Sequence, residues 1–159
     1  ISGGVSVGDH DVSRITLEQV GGTFRHVRMQ PGKPQGWALW GEKDVEVPVI
    51  ALPGNPLSAS VSWELFVTPM IATMLRLEPP AWVPAVAGEA WRSPAGREQV
   101  LPVVVEVDES GRQVVRPSHR KGSASHMVTS LSRADALARV PEDVTEVAPG
   151  DPVLIRRFP

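Results

Sequence analysis

The sequence predicts an α/β half followed by a small all-β, barrel-like domain, with the change falling between residues 76 and 82 and the halves taken as 1–78 and 79–159. Three observations carry this. Strand-like and helix-like segments alternate as far as Leu75, Pro79-Pro80 then makes a stiff junction, and beyond it short strand-like runs recur between turn signals.

The elements follow in order. Ile1-Ser2-Gly3-Gly4 reads as the end of a buried strand entering a glycine turn, so the chain is expected to start inside a domain, its sheet lacking the first strands. Asp11 or Ser13 can then cap a helix with Val12, Ile15 and Val20 near one face, ended by Gly21-Gly22. Thr23 to Met29 leans towards strand, Pro31-Gly32-Lys33-Pro34 breaks it, and Val45 to Leu52 is an apolar, β-branched run of the buried-strand type, parallel pairing being expected in part. Leu57 to Leu75 has apolar residues at helical spacing and predicts a long, well-buried helix. Pro69 lies inside it, removes the hydrogen bond to the Leu65 carbonyl and predicts a kink or a break. In the second half Trp82–Trp91, Gln99–Val107, Gln113–Pro117, Leu137–Val140 and Val153–Phe158 read as strands, with Asp108-Glu109-Ser110-Gly111 as a hairpin turn.

At 159 residues, 42% of them hydrophobic, the chain can build one ordinary core or two small ones. A formal charge of −2 with acids and bases interspersed gives no global attraction to nucleic acid or to an anionic membrane, so any anion site must be local. No run approaches the roughly 18 apolar residues of a membrane span, and no basic segment precedes an apolar signal core, so a cytoplasmic location is the default expectation. The absence of cysteine removes disulfides, thiolate nucleophiles and cysteine zinc sites, leaving oxygen and nitrogen groups for any chemistry.

Four segments could carry that chemistry. Gly3-Gly4-Val5-Ser6-Val7-Gly8-Asp9-His10-Asp11 is a glycine-rich loop between strand and helix, where backbone N–H groups can approach a phosphate and Asp9 and Asp11 suit a bridging divalent cation. Equally, the glycines make a tight turn and Asp11 caps a helix. Pro31-Gly32-Lys33-Pro34 holds one ammonium on a rigid loop, an oxyanion clamp or simply a solvated surface turn. Leu52-Pro53-Gly54-Asn55-Pro56-Leu57-Ser58 caps the long helix and offers backbone N–H groups and the Ser58 hydroxyl to an anion, unless it is a well-capped helix and nothing more. Both strand-to-helix loops could line one crevice. Ser118 to His126, with Arg120, Lys121, Ser123 and Ser125, adds cations and donors or is a surface loop. His10, His26, His119 and His126 show no metal or dyad spacing, and the five tryptophans are expected mostly in the core.

Taken together, Ser2-Gly3-Gly4-Val5-Ser6-Val7-Gly8 with Asp11, then Pro31-Gly32-Lys33-Pro34, then Leu52-Pro53-Gly54-Asn55-Pro56-Leu57-Ser58, resemble the molybdopterin molybdenumtransferases, the MoeA or gephyrin E-domain family. Gly122-Ser123 to Leu131 and Pro149-Gly150-Asp151 resemble its terminal domain. The resemblance implies the C-terminal part of a three-layer α/β molybdenum-cofactor-biosynthesis domain followed by a β-barrel, within a larger homodimer. It implies insertion of molybdate into adenylylated molybdopterin, with Mg2+ and release of AMP. Gly3, Gly4, Ser6, Val7 and Gly8 would hold the nucleotide phosphate and Asp11, with Asp9, the magnesium. Lys33 and Ser58 would face the molybdate and pterin phosphate. Pro31, Gly32, Pro53, Gly54, Asn55, Pro56, Ser123 and Ser125 would complete the site. Many relatives have lysine where Gln30 stands, and a second basic residue where this chain has Pro102. Arg97, or Arg120 and Lys121, could stand in. Other readings are a molybdopterin adenylyltransferase-like nucleotide-binding enzyme and a non-catalytic scaffold of the gephyrin E-domain type. The Leu52 to Ser58 motif and the appended β-domain favour the metal-inserting branch.

Overall fold

The computed structural model describes residues 1–3, 5, 12–42, 45–119 and 128–158. The first half contains helix α1 (Val12–Gln19), strands β1 (Thr23–His26), β2 (Met29–Gln30), β3 (Pro34–Glu42) and β4 (Val45–Ala51), and a second helical stretch from Pro56 to Met74. Strands β1, β3 and β4 form an antiparallel sheet with β3 in the middle. Parallel pairing enters this sheet only as the Ser2–Leu52 bridge, so the partly parallel expectation holds at one edge alone among the described residues. Strand β3 is the element that composition hides. Its Gly36 and Gly41 weaken the strand signal, yet Gly36 is needed because the Phe24 ring lies where a side chain would begin, 2.4 Å from an added Cβ.

The second half is a small closed barrel with few helices around it. Strand β5 (Val83–Ala87), β7 (Glu98–Val107), β8 (Gln113–Pro117), β9 (Ala136–Val140) and β11 (Pro152–Arg157) close in the order β7-β8-β5-β11-β9-β7. All neighbours are antiparallel except β5 and β8. Two short strands, β6 (Trp91–Arg92) and β10 (Glu146–Val147), pair beside it. The interior is filled by small and branched residues, among them Ala85, Leu101, Val103, Val115, Ala138 and Ile155, which suits a narrow barrel. The expected hairpin turn joins β7 to β8. Asp108 accepts from the Ser110 hydroxyl and from the Arg112 guanidinium and backbone, and these bonds, the Ser110 hydroxyl first, hold its carboxyl well below its ordinary range.

Burial differs from the sequence reading in four places, the long helix being the last. In α1 only Leu17 is buried, while Val12, Ile15 and Val20 are exposed. Strand β4 begins exposed, with Val45 and Val47 open and burial reached only at Ala51. Of the tryptophans Trp91 lies in the barrel core, where its indole N–H donates to Gln99, and half-buried Trp82 packs against a second core, whereas Trp37, Trp40 and Trp63 are exposed.

At Pro69 the chain stays helical, but the α-helical pattern is interrupted in the turn that precedes it. The long helix runs as α2 (Pro56–Ser62), a π-helical turn (Trp63–Val67) and α3 (Thr68–Met74). In the π turn the Thr68 N–H reaches the Trp63 carbonyl. The donor due to the Glu64 carbonyl in that register is Pro69, which has no N–H. Arg156, on the last barrel strand, supplies the missing donor through Nη2 and places the same nitrogen 3.6 Å from the Glu64 carboxylate. Burial pulls the Arg156 pKa down and Glu64 opposes that. The helix is also less buried than its composition implies: Leu57 and Val61 are at 0% exposure, but Trp63, Phe66, Ile71 and Met74 are open.

Removing the Arg156 guanidinium would orphan a carbonyl and leave Glu64 without its counter-charge. Arg156→Met is expected to destabilise the protein by about 2–3 kcal/mol, read from the urea midpoint at unchanged slope. A change below about 0.5 kcal/mol would show that water serves the Glu64 carbonyl as well.

Candidate functional site

Two loops of the first half and one from the barrel enclose a cleft of ≈ 560 Å³. Its walls are Met29, Gln30, Pro31, Gly32, Lys33 and Pro34 on one side, Pro53, Gly54, Asn55 and Ser58 on another, with Val5 and Arg97 completing it. The second and third sequence motifs therefore meet in space. The first comes alongside them: Gly3 N–H donates to the Leu52 carbonyl, and an added Cβ on Gly54 would sit 3.4 Å from Gly3 Cα. Pro56 is exposed in the first turn of α2 and does not line the cleft. Gly4, Ser6, Val7, Gly8, Asp9 and Asp11 lie outside the described residues, as do Arg120, Lys121, Ser123 and Ser125.

Each loop has a local reason for its shape. Gln30–Pro31 is a cis peptide, and Gly32 takes φ +96°, a conformation that side chains resist. Gln35 Nε2 donates to the Gly32 carbonyl at 2.8 Å and to Ser62 Oγ at 2.6 Å, tying the loop to α2. Beyond β4, Asn55 caps α2, its Oδ1 accepting from the N–H groups of Leu57 at 3.1 Å and Ser58 at 3.3 Å. Those two donors are therefore not free for an anion, which corrects the sequence expectation. What α2 offers the cleft is the side chain of Ser58, 5% exposed.

The cleft is cationic. Lys33 and Arg97 are both exposed in it, and among the described residues neither has a carboxylate partner. Arg97 Nη1 instead donates to Gln30 Oε1 at 3.0 Å, a neutral acceptor that orients the guanidinium without cancelling its charge. No described carboxylate lines the cleft, and no group of three or more His, Asp or Glu among the described residues could hold a metal. These donors suit an oxyanion and not a divalent cation, so Asp9 and Asp11 alone carry the magnesium expectation. The two departures behave differently. Gln30 serves Arg97 at the cleft, whereas Pro102 is buried within β7 opposite Leu137 and takes no part. Neither Gln35 nor Ser62 carries a signal in the sequence, since their roles arise from a contact 27 residues apart.

An α/β unit joined to a small closed barrel, with a cationic cleft between them, is the class of protein that fold and cleft define. The model of the probable molybdopterin binding domain matches residues 1–73, and that of the MoeA C-terminal region (domain IV) matches residues 84–158. The chain belongs to the MoeA family. Molybdopterin molybdenumtransferase 2 of Mycobacterium tuberculosis is 33% identical over 166 residues, covering 94% of this chain and 37% of that protein. Molybdopterin molybdenumtransferase of Haemophilus influenzae is 29% identical, covering 99% and 38%. The crystal structure of the molybdopterin biosynthesis MoeA protein from Pyrococcus horikoshii superposes with a TM-score of 0.68 at 28% identity, covering 94% of this chain and 35% of that one. The chain thus spans a little over a third of the curated relatives, at 37% and 38% of their lengths.

Gly32 is the position where the loop has least freedom. An added Cβ would lie 2.8 Å from Ser62 Oγ at a φ that already disfavours it. Gly32→Ala is expected to cost about 1–2 kcal/mol of stability from the backbone alone, measured by denaturant unfolding. A neutral result would mean that the loop relaxes away from α2.

Proposed function

We propose that this chain forms the substrate-anion part of a molybdopterin molybdenumtransferase, which inserts molybdate into adenylylated molybdopterin and releases AMP. The observation that carries the reading is the meeting of Lys33, Ser58 and Arg97 around one cleft with no described carboxylate opposing them. Residues 1–78 are read as the C-terminal part of the molybdopterin-binding unit and 79–159 as the barrel domain.

On this reading the cleft works by placement and charge. Both substrates are anions, and bringing them together without fixed countercharge is costly. The Lys33 ammonium and Arg97 guanidinium neutralise oxyanion charge, and the Ser58 hydroxyl donates to it, so that molybdate and the pterin side are held in reacting order. Asp9 and Asp11 are read as the magnesium residues, and the Gly3 to Gly8 loop as the nucleotide phosphate cradle. No helix among the described residues is long and apolar enough to cross a membrane, and a cytoplasmic homodimer is the assembly proposed. The exposed apolar residues Trp37, Leu39, Trp63, Phe66, Ile71 and Met74 support a further covering surface. The Leu52 to Ser58 loop and the barrel's Arg97, meeting at one cleft, favour this reading over a nucleotide-binding enzyme or a scaffold.

In the native polypeptide containing this chain, calorimetry is expected to detect molybdate, and adenylylated molybdopterin with molybdate is expected to yield AMP. Lys33→Ala should weaken molybdate about 10- to 100-fold, the value of a hydrogen bond to a charged group. Asp11→Ala should stop AMP release. A native protein that neither binds molybdate nor releases AMP would overturn the assignment.

A further inference from the structure

Lys33 and Ser58 stand on different elements, yet an anion can use both only if the distance between them is held. The structure contains a fastening that does this from beneath the cleft. Gln35, two residues past Lys33, turns its amide nitrogen to the Gly32 carbonyl at 2.8 Å and to Ser62 Oγ at 2.6 Å. One NH2 group has two hydrogens and can serve both acceptors. Ser62 is four residues beyond Ser58, on the same edge of α2, and is at 0% exposure. The helix therefore presents one serine to the cleft and the next, one turn on, to the underside of the Lys33 loop.

Three further observations set this apart from ordinary packing. Gly32 approaches Ser62 so closely that a Cβ would meet its Oγ at 2.8 Å, so the loop is seated against the helix. Gln35 Oε1 is buried without a hydrogen-bond partner, so the amide is kept for its nitrogen end at the expense of an unsatisfied acceptor. The other end of the loop is also pinned, by Arg97 on Gln30 at 3.0 Å. Neither Gln35 nor Ser62 lines the cleft, so neither touches what binds there.

We infer that Gln35 and Ser62 are positioning residues of the anion site, acting through Lys33 by locking its loop to the helix that bears Ser58. This rests on the molybdate reading above. The test is a double-mutant cycle in the native polypeptide, with molybdate affinity read by calorimetry and folding followed by thermal unfolding. Gln35→Met keeps the length of the side chain and removes its donors. It is expected to weaken molybdate about tenfold when Lys33 is present and not at all in the Lys33→Ala background. Ser62→Ala should show the same dependence on Lys33, and it serves alone if Gln35→Met does not fold. The melting temperature should fall equally in both backgrounds, since that readout senses the clasp and not the ammonium. Equal losses of affinity in both backgrounds, or none in either, would reduce the clasp to a structural contact and overturn the inference. If Lys33→Ala weakens molybdate while Gln35→Met does not, the clasp falls and the site stands. If the unaltered protein does not bind molybdate, both fall.

Discussion

The Glu64 carbonyl, left without a backbone donor by the π turn and Pro69, is the point on which the two halves are joined. Arg156 of β11 donates to it, and the Trp82 ring has that guanidinium 5.1 Å from its centroid and the Arg139 guanidinium at 5.9 Å. A proline in a helix is usually a loss of one bond. Here the loss creates an acceptor whose only described side-chain donor comes from the other half, so the defect becomes a joint. Around it lies a core shared by both parts, in which Met29, Leu57 and Val61 pack with Val100 and Leu137. Strand β2 extends the connection by pairing in parallel with the start of β7.

That joint explains why a cleft can draw on both halves. Arg97 immediately precedes the β7 residues that pair with β2, and Gln30, its acceptor, is the last residue of β2. The relative placement of Lys33 and Arg97 is therefore set by a two-residue parallel pairing and the shared core beneath it, not by loop chance. The helix-end donors contribute differently from what the motif suggests. Asn55 takes up the Leu57 and Ser58 N–H groups, so the positive character of the cleft comes from the Lys33 and Arg97 side chains.

Much of this was legible in the sequence because it depends on neighbours along the chain. The Asp108 turn, the Asn55 cap with Pro56, the loop at Pro31-Gly32 and the strands of the barrel are all local chemistry. What local pattern cannot carry is the outcome of competition for faces. Val12, Ile15 and Val20 are spaced as a core stripe, yet Leu17 is the residue that packs with Phe24, Ala38 and Ala51. β3 escapes notice because Gly36 and Gly41 interrupt its alternation for reasons that lie in Phe24 and Val45. Arg156, Gln35 and Ser62 look like ordinary surface or helix residues until their partners, 92 and 27 residues distant, are known.

The exposed apolar residues follow a pattern that bears on the cleft. In the β3–β4 register Trp37 stands opposite Ile50 and Leu39 opposite Pro48, which places them on the sheet face opposite Ala38 and Val49, the pair in the core with Leu17. Trp37, Ile50 and Phe66 line a second, largely apolar hollow of ≈ 310 Å³ together with Gln35. Gln35 thus faces the clasp with its nitrogen while its side chain borders this hollow. Burying apolar surface is favourable at roughly 25 cal/mol per Å², so a surface that covers Trp37 and Phe66 also confines Gln35. Gln35 is in this way the residue shared by the apolar face and the Lys33 loop.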